Sequence, residues 1–267
     1  MLEKDYIDQL NGEREHSNQR DLWNKRAQEF YEYTKENPDR VVLDFIEDRI
    51  DLEGCNILDI GCGAGRFLIP FVKAGANVIG IDIADEMLKY AEIACDEEGI
   101  PKDRYELIRC DWKEIKLEDM GWNKKFDLVF ASMSPGIREW DTVEKLIGAS
   151  KSYVYISSFI FRKERVYDLI KKDYPDKEET DWKIRFRAIL NLLLIKGYYP
   201  DLKFQRRLGE KDFDPEASSL RYAHRFLDDP EDDTEINELR DRLEKIAMDI
   251  GYKNTIDRVV GMMLFHI

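Results

Sequence analysis

Between Asn56 and Phe159 the chain alternates short apolar runs with longer stretches whose apolar residues recur at helical spacing. NILDI (56–60), NVIGID (77–82), ELIRCD (106–111), FDLVFAS (126–132) and YVYISSF (153–159) have the length and the β-branched or aromatic content of strands. Amphipathic segments over Arg66–Lys73, Asp85–Glu97 and Arg138–Ala149 separate most of them. Buried strands joined by helical crossovers predict an α/β fold: a doubly wound, mostly parallel sheet with helices on both faces. Ligands in such sheets bind beyond the carboxyl ends of the strands, near the point where strand order reverses.

The flanks follow other patterns. DLWNKRAQEFYEYTKE (21–36) sets Leu22, Trp23, Arg26, Ala27, Phe30 and Tyr31 on one helical stripe, and Asn37-Pro38 reads as the start of a second helix through DRVVLDFIEDRI. After Phe159, RKERVYDLIKK (162–172), DWKIRFRAILNLLLIKG (181–197), PEASSLRYAHRFL (215–227) and NELRDRLEKIAMDIG (237–251) predict helices. DLKFQRRL (201–208) and DRVVGMMLFHI (257–267) predict two closing strands, and DDPEDDTE (228–235) a solvated acidic loop. No repeat or low-complexity linker interrupts the chain, so the expectation is a single domain over 1–267. Its parts are an N-terminal helical segment (1–53), a core (54–160) and a region of helical insertions and closing strands (161–267).

Composition narrows the function classes. The hydrophobic fraction of 43% supports a filled core, while a net charge of -14 disfavours a general nucleic-acid binder or a partner of anionic membranes. No apolar run approaches the roughly 20 residues of a membrane helix, and the polar N-terminus is unlike a secretory signal. A cytoplasmic protein is expected. Cys55, Cys62, Cys95 and Cys110 include no CxxC pair and the three histidines lie far apart, so no metal site is expected.

The chemistry concentrates at Ile57-Leu58-Asp59-Ile60-Gly61-Cys62-Gly63-Ala64-Gly65. A strand ends in a turn whose alternating glycines remove side chains that would block a ligand, and a helix opens beyond it with free N–H groups. Asp59 stands two residues before the loop. The next strand ends in Asp82, placed to accept ribose hydroxyls, and the third in Asp111-Trp112, an acid and an aromatic suited to an exocyclic amine and a purine face.

This ordered set resembles the class I S-adenosylmethionine-dependent methyltransferases of small-molecule type. Asp59 to Gly65 matches their first motif, with Asp59, Gly61, Cys62, Gly63 and Gly65 around the methionine part of the cofactor. Asp82 matches their ribose acid, Ile83 and Met87 the residues after it, and Asp111 with Trp112 the adenine side. Phe126–Ser132 resembles their fourth strand, whose end at Ala131 faces the transferring methyl. The resemblance implies a seven-stranded sheet, S-adenosylmethionine as cofactor (S-adenosylhomocysteine as product) and a small-molecule acceptor. It also implies a lid helix carrying Trp23, Ala27 and Tyr31, with Tyr31, Met133 and Ser134 as candidate acceptor-pocket residues and acceptor specificity in 161–267. It covers Trp23 to Phe159 and is looser beyond.

Other readings remain open. A nicotinamide-dependent oxidoreductase would carry G-x-G-x-x-G, but the third glycine position is Arg66, and Asp59 would repel a diphosphate. Base-amine methylation would want Pro-Pro and an aromatic after the fourth strand, where this chain has Ser132-Met133-Ser134-Pro135-Gly136-Ile137. Protein methylation and a non-catalytic binding module are also compatible with the residues. No catalytic residue is assigned; His224, with an ordinary pKa of about 6.5, is the candidate base. Arg206, Arg207, Arg221 and Arg225 are either anion-binding groups or partners of neighbouring acids. Nothing in the sequence sets the oligomeric state.

Overall fold

A computed structural model describes residues 2–11, 19–36, 39–175 and 182–267. In chain order the elements are α1 (Glu3–Asn11), α2 (Gln19–Glu36), α3 (Arg40–Glu47), β1 (Asn56–Ile60), α4 (Leu68–Lys73), β2 (Asn77–Asp82), α5 (Asp85–Glu97), β3 (Tyr105–Arg109) and α6 (Leu117–Met120). Then come β4 (Phe126–Ser132), α7 (Trp140–Ala149), β5 (Ser150–Glu164), α8 (Arg165–Ile170), α9 (Trp182–Ile195), β6 (Asp201–Asp212), α10 (Pro215–Phe226), α11 (Asp233–Ile250) and β7 (Lys253–His266). Helix α1 falls within the N-terminal segment (1–53) expected to be helical. The Asn37-Pro38 helix start lies outside the described residues.

Seven strands form one sheet in the order β3-β2-β1-β4-β5-β7-β6, and β3 to β5 pair in parallel. From β1 the chain steps outward to β2 and β3, then returns to β4 on the other side of β1. The reversal between β1 and β4 is the switch point at which such sheets bind ligands. Two compact units divide the chain: one holds 1–158, 184–203 and 261–267, the other 159–183 and 204–260. The chain passes from one to the other within β5, β6 and β7.

In the first unit the sheet is buried because its central strands are apolar on both faces, β1 being exposed only at Asn56. Phe67 and Phe71, before and within α4, meet Phe130 of β4 edge-on at 4.9 and 5.0 Å. Helix α2 lies along α5, with Trp23, Ala27 and Phe30 packed against Ala84, Met87 and Tyr90. Polar contacts along the pair hold its register: Asn24 Oδ1 accepts from the Glu86 N–H at 3.0 Å, Arg20 pairs with Asp85, and Tyr31 and Lys35 donate to Glu97 at 2.6 and 2.8 Å.

The second unit has its own core of Val166, Ile170, Phe213, Phe226, Leu239, Leu243 and Ile246. The segment expected as a helix from Arg162 continues as strand to Glu164, because Glu164 is drawn inward. Its carboxylate accepts from the Tyr222 hydroxyl at 2.8 Å, Asn254 Nδ2 at 2.9 Å and Arg162 at 3.0 Å. The acidic stretch after Leu227 is not a plain solvated loop. Asp232 caps α11 by accepting from the Thr234 and Glu235 N–H groups at 2.7 and 2.9 Å, and Glu235 accepts in turn from Asp228 and Asp229. Among the described residues no helix is long and apolar enough to cross a membrane.

Candidate functional site

Strand β1 delivers Asp59 to the sheet's carboxyl edge and then turns sharply. Gly61 takes φ +74° there, and a Cβ on it would stand 2.7 Å from Ser134 Oγ, so only glycine lets the β1 and β4 ends approach this closely. Gly63 donates its N–H to Asp82 Oδ2 at 3.0 Å, tying the loop to the end of β2. Cys62 is buried and its thiol stands beside Gly80 of β2, so this residue lends the loop its backbone while its side chain packs into the sheet.

Two acids meet under this loop. Asp59 is 2% exposed and its Oδ2 has no hydrogen-bond partner. Burial, with the Asp82 charge adding to it, pushes the Asp59 carboxyl up to about 8. Asp82 is raised as well, by burial, against the opposing pull of the Ala84, Gly63 and Ile83 N–H groups. An uncompensated buried carboxylate beside a second acid is a receptor for a cation and repels a diphosphate.

The other expected site residues are placed as follows. Met87 is buried between the loop and α2, its sulfur 3.9 Å from where a Gly63 Cβ would be, and Ile83 packs on the same cluster. Asp111 Oδ1 accepts from the Lys113 N–H at 2.9 Å, which forms a turn after β3. Trp112 is 3% exposed and donates its indole N–H to the Thr142 carbonyl at 3.1 Å. Ala131 is buried in β4. Met133 follows β4 at φ +56°, an uncommon conformation for a side chain of its size, and Ser134 is buried against Gly61.

Tyr31 is brought elsewhere: it stacks at 5.1 Å on Tyr90 and donates to Glu97 at 2.6 Å, at the end of α5 remote from the loop. The residue of α2 beside the loop is Tyr33, whose ring lies 5.4 Å from the Arg66 guanidinium. The side chain of His224 lies outside the described residues. Of the candidate arginines in the second unit, Arg206 forms a two-point pair with Asp257 at 2.9 and 2.6 Å, Arg207 donates to the Gln205 side-chain oxygen at 2.8 Å, Arg221 lies 3.6 Å from Glu164, and Arg225 sits over Tyr167.

Sequence reasoning missed three participants. Lys145 donates to the carbonyls of Trp112 and Lys113 at 2.8 and 2.9 Å and pins the turn after β3. Arg66 pairs with Asp39 at 3.1 Å just past the loop. Ser157 Oγ accepts from the Met133 N–H at 3.2 Å and so holds the turn after β4. The only advance signal for the last was a serine at or near the end of each of two neighbouring apolar runs.

Comparison with known proteins agrees with this geometry. A family profile described as a methyltransferase domain matches residues 51–172. A protein of Methanocaldococcus jannaschii named for ribosomal RNA large-subunit methylation is 32% identical over 170 residues, covering 60% of this chain and 43% of its own. A ubiquinone biosynthesis O-methyltransferase of Rhodopseudomonas palustris is 35% identical over 80 residues, covering 30% of this chain and 28% of its own. The chain thus spans under half the length of these curated relatives. Among solved structures, a Bacillus halodurans protein described as a methyltransferase superposes with TM-score 0.55 at 14% identity over 86% of this chain and 99% of its own. A Haemonchus contortus phosphoethanolamine N-methyltransferase gives 0.51 at 16% identity over 100% and 60%. The structural likenesses establish the fold, and residues 51–172 are similar to a methyltransferase domain.

Proposed function

We propose that the chain binds S-adenosylmethionine at the carboxyl ends of β1 to β4 and transfers its methyl group to a small-molecule acceptor. One observation carries this reading: the buried carboxyl of Asp59 beneath the glycine loop, whose Oδ2 has no hydrogen-bond partner, with Asp82 beside it. The residues present fit that cofactor, which offers an ammonium and a sulfonium and no phosphate. Asp59 meets the ammonium, the backbone from Gly61 to Gly65 lies along the amino-acid part, and Asp82 accepts from the ribose hydroxyls. Asp111, in the turn pinned by Lys145, takes the adenine amine, with Ile83 and Met87 supplying apolar contact.

When bound, the cofactor supplies an activated methyl on a cationic sulfur. In-line displacement then asks the protein chiefly to align the acceptor and exclude water. Met133 and Ser134, held after β4 by Ser157 and Gly61, border the acceptor side. Helix α2, through Trp23 and Ala27 on Met87, covers the cofactor's flank as a lid. A base is required only for an acceptor that loses its proton near the transition state.

The M. jannaschii relative favours a second reading, an RNA acceptor. The net charge of -14 supports the small-molecule reading against it. Calorimetric titration with S-adenosylmethionine, S-adenosylhomocysteine and NAD tests the cofactor: micromolar binding of the two sulfur nucleosides without NAD is expected, and binding of NAD alone would overturn the reading. Transfer of labelled methyl to small acceptors and to ribosomal RNA then separates the two acceptor classes.

A further inference from the structure

Strand β6 closes one border of the sheet, and among the described residues it has a strand neighbour, β7, on one side alone. Its stretch from Phe204 to Asp212 belongs to the second unit. Arg206 bonds to Asp257 and Lys253 pairs with Asp212, so β6 and β7 run in opposite directions. The other edge of β6 presents a row of backbone N–H and C=O groups, a template for pairing with a further strand. At 12 residues β6 is long for such an edge, which proteins commonly keep short.

Side chains alternate between faces along a strand, so Phe204, Arg206, Leu208, Glu210 and Asp212 share one face. Phe204 is 54% and Leu208 71% exposed, while Gln205 and Arg207 on the other face are half-buried. Two large apolar side chains thus stand in water where a surface strand ordinarily turns polar ones outward.

The charges of this stretch complement a second copy of itself. Antiparallel pairing about a two-fold axis perpendicular to the sheet keeps the same face of both copies on one side. With the axis at Leu208 no like charges meet. Leu208 lies against its counterpart, Arg206 faces Glu210 of the second copy twice by symmetry, and Arg207 faces Gly209, beside which there is open space. Arg206 gives Nε and Nη2 to Asp257, and its Nη1 donors remain for Glu210 of the second copy. Other registers bring like charges together: with the axis at Arg206, Arg207 or Glu210 that residue faces its own copy, and with the axis at Gly209, Arg207 faces Lys211. Charge therefore selects one register as well as one partner.

We propose that the chain forms a two-fold dimer through β6, the Phe204–Asp212 stretches of two copies pairing antiparallel about Leu208. The dimer is independent of the methyltransferase reading, because its residues lie outside the proposed cofactor site.

Sedimentation equilibrium of the full chain, up to about 100 μM so that a dimer of micromolar Kd is populated, tests it with wild type, Leu208→Lys and Glu210→Lys. Wild type is expected to be a dimer. Each lysine variant, with its circular dichroism spectrum unchanged, is expected to raise the dimer Kd tenfold or more. Mild oxidation of Leu208→Cys and Phe204→Cys reads the register even if a lysine variant fails to fold, with wild type controlling for the native cysteines. Leu208→Cys should cross-link to its own copy, because directly opposed Cβ atoms lie about 5 Å apart. Phe204→Cys should not, because eight positions along the strand separate the two copies by about 27 Å. A monomeric wild type at the highest concentration would overturn the proposal and leave the edge to a different partner. A dimer with unchanged Kd in both folded lysine variants would place the interface elsewhere and overturn it too, as would cross-linking through position 204 and not 208.

Discussion

Asp59 shows how one side chain bears on both a proposed binding site and a stability profile. In the unfolded chain its carboxyl titrates near 3.8, and in the fold burial and Asp82 move it to about 8. Between those values the native state holds a proton that the unfolded state has released, so stability falls as pH rises from about 4 to about 8 and is level above. Each unit of separation corresponds to about 1.4 kcal/mol. Asp59→Asn removes this dependence. The ligand-free variant is expected to melt at least about 5 °C above wild type at pH 8.5, with little difference at pH 5, and to lose S-adenosylhomocysteine affinity at both. Melting curves across that range check the slope; a wild type whose midpoint does not fall over it would show that Asp59 is paired.

At the scale of elements, helix ends show where local chemistry suffices. Pro215 opens α10 behind the cap Asp214, which accepts from the Glu216 and Ala217 N–H groups at 2.9 and 3.4 Å, and Gly251 closes α11 at φ +70°. The cap of α11 was hidden in a run of acids, because a capping aspartate and a solvated one look alike until the backbone turns. Asp232→Ala is expected to cost about 1 kcal/mol in denaturant unfolding. Affinity for S-adenosylhomocysteine should stay unchanged, since the proposed cofactor site lies on β1 to β4. Loss of affinity would show that the second unit shapes that site. Strand ends were harder to place: β5 runs on to Glu164 because Tyr222 and Asn254 draw the carboxylate inward.

For the whole molecule the surplus of negative charge weighs against a polyanionic partner. Binding to a polyanion requires release of condensed counterions by basic side chains, and a chain of net charge -14 starts from repulsion. A ribosomal RNA fragment is therefore expected to bind more weakly than about 100 μM at 150 mM salt, by anisotropy. Tight, salt-dependent binding would shift the reading to an RNA acceptor.

Much of this architecture was legible in advance, because strand and helix periods, glycine turns and acids at strand ends are local properties of consecutive residues. The order of Asp59, Gly61, Gly63, Gly65, Asp82 and Asp111 along the chain carried the resemblance to the methyltransferases and the expected cofactor side. Only the folded sheet decided that Asp59 Oδ2 has no hydrogen-bond partner, that Trp112 spends its indole N–H on Thr142, and that Tyr31 faces Glu97 rather than the end of β4. The register that sets Asp59, Phe130 and Tyr155 side by side on β1, β4 and β5 likewise joins strands far apart in sequence. Burial and register are set by non-local pairing, and so these placements were beyond the reach of the sequence alone.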